Sequence, residues 1–134
     1  MPAIAHHTTH LSATVVAPAE ARAALGAAVE APIAEDVLET ARLLVTELVT
    51  NSVRHAIVLA GSEVRIEIDA DYGLLRVEVY DSGRESPDLR PSERPVGGFG
   101  LQLVDQLADR WGSVNSDEGT CVWFELMPAP RSSV

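Results

Sequence analysis

Glu47 and Asn51 lie four residues apart in the segment ELVTNSVRH, a carboxylate and a carboxamide set among Leu44, Val45, Leu48, Val49 and Val53. On a helix that spacing puts both side chains on one face with their polar ends converging. Two oxygen-bearing groups meeting in apolar surroundings suggest a metal and reaction site. Further along, Asp81 continues the parity of Leu75, Val77 and Val79, so the inner face of a strand ends in a carboxylate. A buried carboxylate needs a donor, either backbone amides of the following DSG turn or a ligand group such as an exocyclic amine. Thr120 shares the parity of Val122, Phe124 and Leu126 in the last strand. Together with Glu47 and Asn51, these residues are expected to form a polar rim around one pocket.

The segment VGGFGLQLV offers a complementary feature. Gly97, Gly98 and Gly100 let backbone amides approach a ligand closely, and the helix starting there presents free N–H groups and the positive end of its dipole. Phosphate is the natural guest; a flexible hinge or a plain helix start is the other reading of such a cluster.

The elements that must position these residues follow from periodicity. Residues 9–16 read as a first strand with Leu11, Ala13 and Val15 on one face. A helix follows Pro18 and stops near Pro32; a second opens at Glu35 and Asp36 and continues to about Val58. Val64, Ile66 and Ile68, then Leu75, Val77 and Val79, alternate with polar residues as a hairpin turning at Asp71 to Gly73. Ser82 to Gly98 is a long polar loop, of the kind that is functional or mobile. A third helix is expected from Phe99 or Gly100 through LQLVDQLADRW, then a short strand around Val114 and a last one from Thr120 to Leu126. The tail 128–134 is expected to fray. The order β, α, α, β, β, loop, α, β, β predicts an α+β two-layer sandwich, with helices on one face of a mainly antiparallel sheet.

Composition bounds the function. A chain of 134 residues fits one domain, 1–134, with one core. Its formal charge of −10 argues against direct nucleic-acid binding and favours a basic protein partner. All ten cationic residues are Arg; without Lys there is no Schiff base, no GxxxxGKS phosphate loop and no strand lysine of ordinary protein kinases. Cys121 reads as a small core residue, and His6, His7 and His10 as a solvated lead-in to the first strand. The N-terminus lacks a basic segment followed by an apolar core, and no run approaches the ~18 apolar residues of a membrane span. A cytoplasmic protein without membrane contact is expected.

In combination, ELVTNSVRHA, the DSG of Asp81 to Gly83, GGFGLQLV and EGTCVWFEL resemble the N-box, adenine box, glycine box and closing G–T strand of the GHKL, or Bergerat-fold, ATP-binding domains. Within that family the chain looks most like the single-domain bacterial anti-sigma factors that are also protein serine kinases. The resemblance implies ATP (or ADP) and Mg²⁺ as ligands, with Asn51 on the metal and Glu47 as general base. It implies that Asp81 accepts the adenine amino hydrogen, that Gly83 gives the base room, and that Thr120 bonds the same group or a water beside it. Gly97, Gly98, Phe99, Gly100 and Leu101 would form the phosphate-binding turn. Arg54 either neutralises phosphate or forms a surface salt bridge, and His55 takes a packing or hydrogen-bonding role. Two departures stand out: Phe99 occupies a position that is often polar or basic, leaving phosphate contact to backbone or to Arg94, and the lid is short with few hydroxyls. The partners implied are a sigma factor and an anti-anti-sigma antagonist protein that is phosphorylated on serine, with a homodimer as a further possibility. The alternative is a non-catalytic, nucleotide-gated module that sequesters a sigma factor or other regulator.

Overall fold

A computed structural model of the chain describes residues 5–29, 33–56, 63–71, 74–81, 98–116 and 119–127. Five strands, β1 (Ala5–Ser12), β2 (Glu63–Ala70), β3 (Leu75–Asp81), β4 (Arg110–Ser116) and β5 (Gly119–Leu126), form one antiparallel sheet in the order β1-β2-β3-β5-β4. Helices α1 (Ala17–Ala28), α2 (Glu35–Ala56) and α3 (Gly98–Leu107) pack on one face, giving the expected two-layer α+β architecture. Val64, Ile66 and Ile68 of β2 and Leu75 and Val77 of β3 are fully buried, while their sequence neighbours are not. That strict alternation is what a sheet covered on one side requires.

α2 carries Glu47 and Asn51, and its anchoring is explicit. The Asp36 carboxylate accepts from the Val37 N–H at 2.9 Å, and Glu35 and Asp36 place negative charge at the positive end of the helix. Thr40, Thr46 and Thr50 return their hydroxyl protons to carbonyls four residues back, so three poor helix formers are satisfied in place. Ala41, Leu44, Val45, Leu48, Val49 and Val53 make one buried stripe. α1 lies against β1 and β2, α3 against β4, and α2 runs between them. Arg22 of α1 donates to the Thr46 hydroxyl at 3.0 Å, which fixes the flank of α2 that α1 covers.

Four expectations need correction. The first strand is Ala5–Ser12, not 9–16; Thr14 N–H bonds Ser12 C=O, Ala17 N–H bonds Thr14 C=O, and Val15 is 88% exposed in that turn. The three histidines are therefore inside β1 rather than leading into it, and His6 bonds Asp69 and lies 3.3 Å from Glu67, both on β2. The third helix starts at Gly98 and ends at Leu107, because Asp109 N–H turns to pair with Glu125 C=O and begins β4, a strand longer than expected. Trp111 thus belongs to the sheet, its indole N–H donating to Asp105 of α3 at 2.9 Å. Finally, Cys121 is half-buried on the face opposite the helices, in register with Tyr80 and Val114. The expected helix end at 57–58, the turn at 72–73, the loop 82–97 and the tail 128–134 lie outside the described residues.

Candidate functional site

On the central strands β2, β3 and β5 the inner face is apolar until its last rung. Asp81 at the end of β3 stands opposite Thr120 at the start of β5, and Thr120 stands opposite Asn115 of β4. Asp81 and Thr120 are half-buried, and Asp81 keeps the parity of Leu75, Val77 and Val79. Across the β4–β5 hairpin the Thr120 hydroxyl donates to the Asn115 Oδ1 at 2.9 Å. Asn115 was invisible to motif reading. Its signal was the register of the NSDEGT hairpin, which makes residues 115 and 120 a cross-strand pair.

Glu47 and Asn51 are both half-buried on α2. At about 100° per residue they project about 100° and 140° round the helix from Thr46, the residue that faces α1. They therefore flank the buried stripe on the side of α3. Among the described residues no hydrogen bond or ion pair engages the Glu47 carboxylate. Arg54, one turn beyond, is exposed, and the His55 side chain lies outside the described structure.

α3 opens with Gly98, Phe99 and Gly100, described in backbone only, and no acidic side chain occupies its first turn. Its leading N–H groups have no intrahelical acceptors, which favours an anion there. Leu101, next in that turn, is 39% exposed. Gly83, Arg94 and Gly97 lie outside the described residues. The chain thus brings Glu47 and Asn51 together on one flank of α2, and Asp81 and Thr120 together at one end of the sheet.

Mg²⁺ takes few direct protein ligands, all oxygen, and fills its shell with phosphate and water. Asn51 supplies such an oxygen, and among the described residues no three His, Cys, Asp or Glu side chains gather to hold a metal by themselves. Carboxylate, carboxamide and hydroxyl oxygens fit a hard cation and an amine-bearing base.

The opposite face holds an open groove of about 560 Å³ lined by Arg65, Arg76, Tyr80, Cys121 and Trp123 and reaching Asp81 and Thr120 only at the strand ends. Its charges are paired internally. Arg65 stacks 3.9 Å from the Tyr80 ring centroid and Arg76 4.2 Å from that of Trp123. Arg76 also bonds Glu125 at 2.8 Å and Glu78 at 3.1 Å, and these bonds outweigh burial and hold its pKa above the ordinary value. Burial raises the Cys121 thiol and the Tyr80 hydroxyl, so neither is primed for chemistry. The groove lies away from α2 and α3, and neither Glu47 nor the N-terminus of α3 lines it.

Known proteins share this fold. The profile of the histidine kinase-like ATPase domain matches residues 11–126. Several solved structures align with it, three of which follow. The RsbU and RsbW domains of Rv1364c from Mycobacterium tuberculosis have a TM-score of 0.66 at 19% identity, covering 91% of this chain and 31% of that one. The blue-light activated histidine kinase of Erythrobacter litoralis gives 0.60 at 24%, covering 87% of this chain and 42% of that one. The histidine kinase domain of the latter gives 0.56 at 24%, covering 82% and 58%. This chain therefore spans less than two thirds of each of those chains, and at such identities the likeness shows the fold. No curated protein matches. Among the described residues no helix is long and apolar enough to cross a membrane. With the fold, the four motif segments and a profile match spanning 11–126, the chain belongs to the histidine kinase-like ATPase domain family.

Proposed function

We propose that this domain binds Mg-ATP on the helix side of the sheet, between the flank of α2 that carries Glu47 and Asn51 and the strand ends at Asp81 and Thr120, phosphorylates a small antagonist protein on serine, and otherwise sequesters a sigma factor. The observation that carries the reading is the placement of Glu47 beside Asn51 on the α3-facing flank of α2, with no partner for the Glu47 carboxylate among the described residues. A domain that only bound nucleotide would have no use for a poised base. The resemblance of the four motif segments to the anti-sigma factors that are also serine kinases supports the choice of partner class.

In this reading Asp81 accepts from the amine of the base, Thr120 contacts the same edge, and Asn51 and the leading amides of α3 hold the phosphate end. Bound Mg²⁺ would neutralise phosphate charge. Glu47 takes the proton of the attacking serine hydroxyl as its oxygen bonds the γ-phosphorus; the bond from that phosphorus to the bridging oxygen breaks and ADP leaves. Arg54 is exposed and free to meet phosphate or solvent.

The non-catalytic alternative is favoured by Val15 and Val16, 88% and 56% exposed just before α1, which suit a protein contact. Incubation with Mg-ATP and the cognate antagonist decides between them. Phosphoserine should form, and Glu47→Ala should abolish it with ATP still bound. Transfer unchanged in that variant removes Glu47 from the mechanism, and ATP binding without any transfer supports the alternative.

A further inference from the structure

We propose that Asn115 is a positioning residue for base selection: by taking the Thr120 proton it fixes that hydroxyl as an acceptor, so that the pocket prefers 6-amino over 6-oxo purines. The inference rests on the nucleotide reading above and extends it to a residue that never touches the ligand.

A threonine hydroxyl has one proton and two lone pairs, and it turns to suit its surroundings. Here the proton is committed, because Thr120 donates to Asn115 Oδ1 at 2.9 Å. What Thr120 offers in any other direction is a lone pair. Its neighbour across the β3–β5 ladder is Asp81, whose ionised carboxylate also only accepts. The strand ends therefore present two acceptors side by side. An exocyclic amine, alone or with a bridging water, supplies donors to both. A 6-oxo purine places a carbonyl oxygen there instead and leaves acceptors facing an acceptor, the mismatch that discriminates most strongly between ligands of similar shape. Without Asn115 the Thr120 hydroxyl is free to turn and donate to that carbonyl, and the penalty falls.

Asn115 is exposed on the edge strand β4 and makes no core contact, so its replacement leaves the packing intact. The test is competition binding of ATP and inosine triphosphate, each with Mg²⁺, to the whole chain and its variants. Wild type should prefer ATP. Asn115→Ala should lower the ATP-to-inosine-triphosphate affinity ratio by about tenfold, the value of one net hydrogen bond. Asn115→Asp keeps an acceptor oxygen at the same place and should keep the ratio. Thr120→Val should lower the ratio too, and adding Asn115→Ala to it should change nothing further. An unchanged ratio in Asn115→Ala, or a ratio lost equally in Asn115→Asp, overturns the proposal with the nucleotide reading intact. Failure of the wild type to bind either nucleotide overturns both.

Discussion

Alternate residues of every strand feed two faces of one sheet that meet very different surroundings. Toward the helices, Val64, Ile66, Ile68, Leu75, Val77 and Phe124 are completely buried, and the central strands β3 and β5 turn polar only at the final rung, where Asp81 and Thr120 stand with Asn115 of β4 beside them. Away from them, His6 pairs with Asp69, Arg76 with Glu78 and Glu125, Arg110 with Glu125, and two guanidiniums lie on aromatic rings. The outer face settles its polar groups among themselves. On the helix side, the Glu47 carboxylate of α2 has no partner among the described residues, and Asp81 stands opposite Thr120 at the strand ends. Abundant charge is thus a poor guide to the candidate site in this domain; a few polar groups set beside an apolar core are a better one.

The contrast can be broken from either side. Phe124→Ala removes a side chain with no exposed surface at the centre of the inner face, and should cost about 3–5 kcal/mol in denaturant unfolding. On the outer face Arg76→Ala should cost less, about 2 kcal/mol, mainly because Glu125, 7% exposed, loses its best partner. Gly112→Ala sharpens the picture differently. Its new Cβ would meet the Trp123 indole at 2.8 Å, so the ring must leave its stack with Arg76, and a loss of about 1–2 kcal/mol with a changed Trp fluorescence is expected.

The smallest effect belongs to His6. The bond to Asp69, then the charges of Asp69 and Glu67, raise its pKa above the ordinary value near 6.5. A raised folded-state pKa means that its contribution is fully present below about 6.5 and is lost as pH rises through the folded value. His6→Gln should flatten that part of the stability–pH profile, read from melting temperatures in matched buffers.

Element order and sheet architecture were legible because β2, β3 and α2 have strong periods of two and 3.6. The edges were not. β1 buries only Leu11 strongly, so its alternation of Thr8, His10 and Ser12 outward with Thr9 and Leu11 inward looked like a polar lead, and the apolar Ala13 and Val15 drew the strand too far. Trp111 continued the helical pattern of α3, and only the pairing of Asp109 with Glu125 shows the chain leaving the helix. Cys121 lies out of phase with Val122 and Phe124, so parity put it outside while residue type suggested the core. At the site, motif spacing pointed to Glu47, Asn51, Asp81 and Thr120. Asn115 emerged only from strand register, since a hydroxyl's direction is set by a partner that no motif names.

Calorimetric binding of Mg-ATP to Asp81→Asn, with Arg65→Ala as the outer-face control, tests most directly that the nucleotide sits at the helix-side strand ends. Asp81→Asn, which puts an amide donor against the base amine, should weaken binding by about tenfold to a hundredfold. Arg65→Ala should bind as the wild type does. Undiminished binding in Asp81→Asn, with loss in Arg65→Ala, would place the ligand in the open groove and contradict the account.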